Sequence, residues 1–294
     1  MSTPCSSFDA AAPLIAAFRR DGFVHARSVL TDREVVRFRA AVDCAVARRK
    51  SNDPRSPSEK SPYEQSFLQC EYLWEDFPDV APLTFHPKIA GLAAALIGAP
   101  AVRLWHDQAL YKEAGGRETD AHQDHAYWPV AERAMLTAWI PLVDVDETMG
   151  AMGYVPGTQH GDCEYVDIFA KPGSGAALEA KHARPVFVPA CAGDVIFHAA
   201  GAVHLARANR SDRTRKVHTA IYFADGCTRA EKGDHPSLAR NGTAPGEKIA
   251  GPATPIAWPL PQGRLPVPSP WPDLGGIYRR AAALGVLPLA TDRG

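Results

Sequence analysis

Apolar residues recur at helical spacing in the first third of the chain, and the period then changes. Leu14, Ile15 and Phe18 share one helical face, and Asp21-Gly22 predicts the end of that helix. Thr31 and Glu34 are spaced as a capping box, and Val35, Phe38, Val42 and Val46 follow three or four residues apart on one face. Ser51 to Gln65 is polar and carries prolines at 54, 57 and 62, which predicts a loop. Pro87 opens a short Ala/Leu-rich helix and Gly98 closes it.

After Pro100 the apolar residues come in short runs rich in Val, Ile, Tyr, Trp and Phe. These are Ala101–Tyr111, Ala134–Val143, Ala151–Val155, Pro185–Pro189, Asp194–His198 and Val217–Phe223, separated by turns such as Pro156-Gly157 and Ala192-Gly193. Many short strands with turns between them predict a sandwich or jelly roll, not a parallel α/β sheet. From His235 onward the chain holds 11 of its 26 prolines, so an extended segment packed across the sheets is expected there, ending in a helix around Ile277–Ala283. The expected organisation is a single domain over 1–294: a helical part at about 8–98, a β core at about 101–225 and a Pro-rich extension at about 226–294.

Composition narrows the function classes. With 46% hydrophobic and 22% charged residues in 294, the chain is an ordinary globular one. The 32 Lys+Arg and 33 Asp+Glu leave a net charge of -1, so neither nucleic acid nor an anionic membrane is an expected partner. The longest strongly apolar run, Ile89 to Val102, is too short for a membrane span and contains glycine and proline. No basic-then-apolar leader opens the sequence and Thr291–Gly294 matches no sorting tail, which gives a cytoplasmic expectation. The cysteines at 5, 44, 70, 163, 191 and 227 form no C-x-x-C and no regular spacing, and reduced thiols are expected. No G-x-G-x-x-G and no G-x-x-x-x-G-K-[ST] is present, which argues against the usual dinucleotide and nucleoside-triphosphate enzymes.

Two H-x-D pairs could place an imidazole and a carboxylate on one metal: His122-Gln123-Asp124 and His160-Gly161-Asp162. Either pair alone is equally a polar stretch of loop. Downstream, the strand Asp194-Val195-Ile196-Phe197-His198 is followed by His204, Asn209, Ser211 and Arg215. Two histidines and one carboxylate occupy one face of an iron(II) and leave other positions open. An α-keto acid chelated there needs a forked, permanently charged donor for its far carboxylate, which arginine supplies. Taken alone, His204 reads as a core histidine and Arg215 as a surface arginine.

Taken in order, these pieces resemble the phytanoyl-CoA hydroxylase (PhyH) family of iron(II)- and 2-oxoglutarate-dependent dioxygenases. The resemblance runs from about Asp21 to Asp225. It rests on Asp21-Gly22-Phe23-Val24, His122-Gln123-Asp124 with Tyr127-Trp128-Pro129, Ala138-Trp139, and Gly150-Ala151-Met152 leading to Val155-Pro156-Gly157-Thr158. It continues through Gly193-Asp194-Val195-Ile196-Phe197-His198 to His204, Asn209, Ser211 and Arg215. The fold it implies is mainly β with flanking helices around a double-stranded β-helix (jelly-roll, cupin-like) core. The iron(II) ligands it implies are His122, Asp124 and His204, with His160 a turn histidine and His198 a strand residue without a metal role. Arg215, Gln108 and Trp139 fall at positions that contact 2-oxoglutarate in the family, and Lys112 is a weaker candidate for the same acid. Tyr127, Trp128 and Trp105 are aromatic residues available to line a substrate pocket.

The activity implied is hydroxylation of an aliphatic C–H of a small molecule, using dioxygen and converting 2-oxoglutarate to succinate and carbon dioxide. Asp124 argues against halogenation, because halogenases on this scaffold have a small residue in its place; desaturation and ring-forming oxidation stay open. The family commonly has a serine two residues after the distal histidine to help hold the co-substrate, whereas this chain reads His204-Leu205-Ala206. Non-oxidative, isomerase-like chemistry on a metal-binding jelly roll and a catalytically silent binding relative are the alternatives. Ser51–Gln65 and Tyr165–His182 read as polar lids over the site. Arg48-Arg49-Lys50 reads as a solvated helix end, with an anionic handle on the substrate as the alternative.

Overall fold

The computed structural model describes residues 11–51, 53, 55, 59–169, 171–273 and 275–289. Cys5, Pro54, Pro57, the first residues of the expected helical part and Thr291–Gly294 lie outside these. In chain order the elements are α1 (Ala12–Asp21), β1 (Phe23–Ala26), α2 (Asp32–Lys50), β2 (Leu68–Glu71), α3 (Leu73–Asp76), α4 (Ala81–Thr84) and α5 (Pro87–Ile97). The β-rich part follows with β3 (Val102–Lys112), β4 (Thr119–His122), β5 (Met135–Pro141), β6 (Met152–Tyr154), α6 (Ala176–Ala180), β7 (Val186–Val188), β8 (Val195–Ala199), β9 (His204–Ala206) and β10 (Arg215–Ala224). The C-terminal part holds α7 (Pro236–Asn241), β11 (Ile256–Trp258) and α8 (Gly276–Ala283).

The helices form where local chemistry favours them. The Thr31 hydroxyl accepts from the Glu34 amide at 3.3 Å while the Glu34 carboxylate accepts from the Thr31 amide at 2.8 Å, closing the capping box. Gly22 ends α1 with φ 80°, a left-handed conformation that glycine adopts without a Cβ clash. Val35, Phe38, Val42 and Val46 of α2 and Ile89, Ala90 and Ala93 of α5 are buried against one face of the larger sheet, which offers Leu136, Ala138, Ala220 and Tyr222. Burying that apolar face is what anchors the helical part to the sheet.

Two antiparallel sheets make a jelly roll. The seven-stranded sheet runs β1-β8-β5-β10-β3-β11, with β2 also paired to β3; the four-stranded sheet runs β4-β9-β6-β7. Alternation along the central strand β10 sends Ala220 and Tyr222 to the helical side and Val217 into the space between the sheets, where it meets Trp139, Met152, Tyr154 and Ala206. That interior is where the chemistry-bearing side chains gather.

The strands read from sequence fall on β3, β5, β6, β7, β8 and β10 to within three residues at each end. The short strands β1, β2, β4, β9 and β11 add to them. The Pro-rich extension is more ordered than an extended strap, since it contributes α7 and β11 as well as α8. It is tied down by a buried pair in which Arg240 donates to both oxygens of Glu75 at 2.9 and 2.7 Å, with Trp271 Nε1 donating to Glu75 at 2.9 Å. The expectation of a solvated helix end at Arg48-Arg49-Lys50 is corrected here. Arg49 is paired to Asp76 at 2.9 Å and donates to the Val286 carbonyl, and Lys50 donates to the Leu284 carbonyl at 3.1 Å. Those carbonyls end the C-terminal helix and its following turn, so Arg49 and Lys50 bind the extension while Arg48 stays exposed. Cys44, Cys70, Cys163, Cys191 and Cys227 are free thiols.

Candidate metal centre

The strand β4 lies antiparallel to β9, and their register sets His122 directly opposite His204. Asp124 follows in the short 3-10 turn Asp124–Ala126, which swings its carboxylate back over the two rings. His122 Nε2 and His204 Nε2 stand 3.7 and 3.6 Å from the same oxygen, Asp124 Oδ1. Ligand atoms of the three residues lie within 4.8 Å of one another, close enough to share one metal ion.

Hydrogen bonds fix which atoms face the centre. His122 Nδ1 donates to the Asp120 carbonyl at 2.7 Å and His204 Nδ1 to the Ala202 carbonyl at 3.0 Å, so each Nε2 presents a lone pair inward. Burial lowers both imidazoles to about 4, which keeps them neutral and able to ligate at physiological pH. Burial alone would raise Asp124, but the facing imidazoles His204, His198 and His122 outweigh it and hold the carboxyl ionised. The other oxygen, Oδ2, accepts from Thr137 Oγ1 at 3.0 Å and from His198 Nε2 at 3.4 Å. Thus Oδ2 is occupied and Oδ1 is left for a metal. Two neutral imidazoles and one ionised carboxylate are a donor set that suits iron(II).

The other H-x-D pair points elsewhere. His160 Nε2 lies 3.0 Å from the Arg19 carbonyl, and Asp162 is fully exposed. The pair takes no part in the centre.

Also inside the barrel, beside Trp139, lies a buried positive charge. Arg215 is 1% exposed, donates through Nη1 to the Gly150 carbonyl at 2.6 Å, and leaves its buried Nε without a partner. Its guanidinium sits 5.7 Å from the Trp139 ring, whose own Nε1 is buried and unpartnered. Burial lowers Arg215 to about 10, so it remains charged at neutral pH. A buried forked cation with spare donors fits the distal carboxylate of a 2-oxo diacid. Asn209 supports the turn before Arg215 by donating through Nδ2 to the carbonyls of Lys112, Glu113 and Arg213 at 2.7 to 3.0 Å. Ser211 completes that turn with its hydroxyl on Asn209 Oδ1 at 2.7 Å.

The mouth beside the candidate metal residues is lined by residues that strand reading missed. The Tyr63 ring lies tilted against Phe169 with centroids 4.5 Å apart, Phe169 stands edge-on to Tyr127 at 5.5 Å, and Tyr127 lies 6.0 Å from the His122 ring. This aromatic chain joins the loop before β2 to the loop carrying α6, the two segments read as lids. Gln108 faces this mouth, with its Oε1 accepting from Gln69 Nε2 at 2.7 Å; the same nitrogen donates to Glu71 at 2.9 Å. Burial raises Glu71 to about 7. Trp128 sits apart from the lids, edge-on to His106 at 6.2 Å, while Trp105 stacks on His235 at 4.4 Å. His235 belongs to the C-terminal extension. Alternation of Gln69 and Glu71 around the buried Cys70 was the one sequence signal for this wall.

A jelly roll that turns two neutral imidazoles and one ionised carboxylate onto a single point belongs with the metal-binding, cupin-like β-barrels. More narrowly, the phytanoyl-CoA dioxygenase (PhyH) family model matches residues 18–217, and this chain belongs to that family. Among solved structures, it is similar to the non-heme alpha-ketoglutarate-dependent carbocyclase SnoK from nogalamycin biosynthesis, at 30% identity and TM-score 0.72 over 87% of this chain and 99% of that one. The epimerase SnoN from the same biosynthesis, in complex with Fe3+, alpha-ketoglutarate and nogalamycin RO, is also 30% identical, with TM-score 0.67 over 85% of this chain and 99% of that one. EctD from S. alaskensis with 2-oxoglutarate and 5-hydroxyectoine shares the fold at 20% identity and TM-score 0.64, over 84% of this chain and 89% of that one. No curated protein matches the chain by sequence. No helix among the described residues is long and apolar enough to cross a membrane.

Proposed function

We propose that this protein is an iron(II)- and 2-oxoglutarate-dependent oxygenase that oxidises, most simply hydroxylates, an aliphatic C–H of a small-molecule substrate. The observation that carries the reading is the convergence of His122 Nε2, His204 Nε2 and Asp124 Oδ1, with both Nδ1 atoms tied to backbone carbonyls. Iron(II) held by these atoms, with 2-oxoglutarate and dioxygen, supplies the oxidising power for C–H cleavage and yields succinate and carbon dioxide.

The residues of the chain orient and enclose. Thr137 and His198 hold Asp124 Oδ2 so that Oδ1 faces the metal. Arg215, backed by Trp139, takes the distal carboxylate of 2-oxoglutarate, and Gln108 stands on the wall near its other end. Tyr127 borders the substrate, and its hydroxyl is anchored on the Val166 carbonyl at 2.6 Å. Trp128 shapes the same mouth from farther off through His106. Tyr63 and Phe169 close the lids and exclude water. The helical part, barrel and extension act as one domain in this reading, because His235 of the extension joins the substrate wall.

The likeness to a carbocyclase and an epimerase supports a second outcome from the same C–H cleavage in place of hydroxylation: ring closure, or epimerisation with an external reductant supplying the two electrons the substrate then does not give. Product mass separates them: hydroxylation adds one oxygen, ring closure removes two hydrogens, and epimerisation leaves the mass unchanged. The shared claim is tested by supplying aerobic, iron-loaded protein with labelled 2-oxoglutarate. Succinate formation that requires both iron and dioxygen is expected; its absence from protein with iron bound overturns the oxygenase reading.

A further inference from the structure

The wall beside the candidate metal residues carries one carboxylate that the proposed oxygenase chemistry does not use. Cys70 and Ala109, a cross-strand pair, pack into the helical side of the larger sheet. Strand alternation therefore turns Gln69, Glu71, His106 and Gln108 to the other face, toward the barrel mouth. Glu71 lies opposite Gln108 in the β2·β3 ladder, and Gln69 Nε2 donates to both, at 2.9 Å to Glu71 Oε1 and 2.7 Å to Gln108 Oε1. Glu71 is half-buried and has no ion pair among the described residues. Arg49, whose charge reaches it, is committed to Asp76 at 2.9 Å and to the Val286 carbonyl. Left without a counter-ion, the Glu71 carboxyl is raised by burial to about 7.

The groups that share this mouth are aromatic and uncharged. Burial raises the Tyr63 phenol, and the charges of Glu71 and Asp124 raise it further, so Tyr63 is within reach of both carboxylates. From α8, Tyr278 is raised by burial and then by Asp234 and Glu71. Asp234 itself pairs with Arg229 at 3.8 Å. The His106 and His235 rings stack at 5.5 Å, and burial keeps both neutral. Aromatic faces attract a cation, and an unpaired carboxylate among them completes a site for one.

The sheet gives the scale. Thr137, which holds Asp124, lies on β5 opposite Ile221 of β10, and Ile221 lies opposite His106 of β3. Glu71 stands on the next strand, β2. Three strand spacings of about 4.8 Å put Glu71 about 14 Å from Thr137 along the curved sheet.

Resting on the oxygenase reading for the reacting end, we propose that Glu71 anchors a positively charged nitrogen of the substrate, an amine carried on an apolar or aromatic body that packs against Tyr63 and the lids. The site then selects an extended amine whose reacting carbon, at the metal residues, is several bonds from the nitrogen held at Glu71.

The test is anaerobic calorimetry of the full-length protein with three probes of one length: phenylhexylamine, phenylhexanol and phenylhexanoate. It is run at mildly alkaline pH, where the carboxyl is ionised and the amine still protonated, with and without iron(II) and 2-oxoglutarate. The amine is expected to bind at least tenfold tighter than the alcohol, and the acid more weakly than either. Glu71→Gln keeps the shape and removes the charge, so it should bring the amine down to the level of the alcohol while the alcohol affinity and the iron content stay unchanged. A merely structural Glu71 would shift all three probes alike. Glu71→Asp keeps the charge and should keep the amine tighter than the alcohol. Wild-type protein that binds the amine no tighter than the alcohol overturns the proposal, as does a preference that survives in Glu71→Gln. Protein that shows the amine preference and holds iron but binds no 2-oxoglutarate supports the anchor and overturns the oxygenase reading instead.

Discussion

Thr137→Val removes one hydroxyl and changes little else, which makes it a sharp probe of how the metal carboxylate is aimed. Thr137 is 4% exposed on β5, directly opposite His198 of β8, and its Oγ1 donates to Asp124 Oδ2 at 3.0 Å. After the substitution Oδ2 keeps only the longer contact from His198 Nε2 at 3.4 Å, and His198 is itself held through Nδ1 by the Tyr154 hydroxyl at 3.2 Å. A hydrogen bond to a charged group contributes about 1.5–3 kcal/mol. At about 1.4 kcal/mol per tenfold, that is roughly 10- to 100-fold in affinity, the range found for outer partners of metal ligands. Because His198 remains, the lower end is expected, about a tenfold loss of iron(II) affinity. Anaerobic competition between the protein and a coloured chelator measures it, with Thr137→Ser as the control that keeps the hydroxyl and retains near wild-type affinity. A folded Thr137→Val protein within about twofold of wild type would refute the claim that Thr137 aims the carboxylate.

Other perturbations reach different parts of the account. Arg240→Leu strips the buried Glu75 carboxylate of both guanidinium hydrogen bonds; chemical denaturation should show a loss of about 3–5 kcal/mol, most of it recovered in Glu75→Leu/Arg240→Leu. Gly150→Ala imposes φ +80° on a Cβ that would lie 2.5 Å from the Arg207 carbonyl oxygen, so it should displace the carbonyl that holds Arg215 and weaken 2-oxoglutarate binding more than iron binding in calorimetry. Burial depresses His106 to about 4 and His218 to about 3, and His235 well below its ordinary value. An unfolded histidine titrates near about 6.5 and takes up its proton first, so the stability these rings contribute is complete above that pH and is lost as pH falls from there toward 4. Thermal melts of the apo-protein should fall across that window, and a flat profile would contradict the burial argument. Tyr63→Ala or Phe169→Ala should raise the ratio of succinate formed to substrate oxidised, by opening the aromatic closure to water.

Long apolar patterns were legible in the sequence because each has a buried face of its own. The capping box at Thr31 and Glu34 depends on local spacing and the strand at Val217–Phe223 on local composition, and both appear as read. The strands that build the site were the ones missed, for a physical reason. β4 reads Thr119-Asp120-Ala121-His122 and β2 reads Leu68-Gln69-Cys70-Glu71, so each turns polar side chains into the barrel where a structural strand would show apolar ones. β9 is three residues long, too short for any period to register. The candidate metal residues were readable only as a set in order, since His122 and His204 become partners through a ladder between segments about eighty residues apart in sequence. The wall of Tyr63, Gln69, Glu71, His106 and His235 draws on three separate regions, including an extension that looked like a strap. His235 enters it because Arg240 and Trp271 lock that extension onto Glu75.

In the proposed function His122, Asp124 and His204 hold iron(II) and Arg215 orients 2-oxoglutarate upon it. Metal-free protein mixed anaerobically with iron(II) and 2-oxoglutarate should show the weak visible charge-transfer band of a chelated 2-oxo acid. That band should vanish in His122→Ala, persist in His160→Ala and weaken in Arg215→Ala. A band that survives His122→Ala, or wild-type protein that binds no iron, would contradict the account.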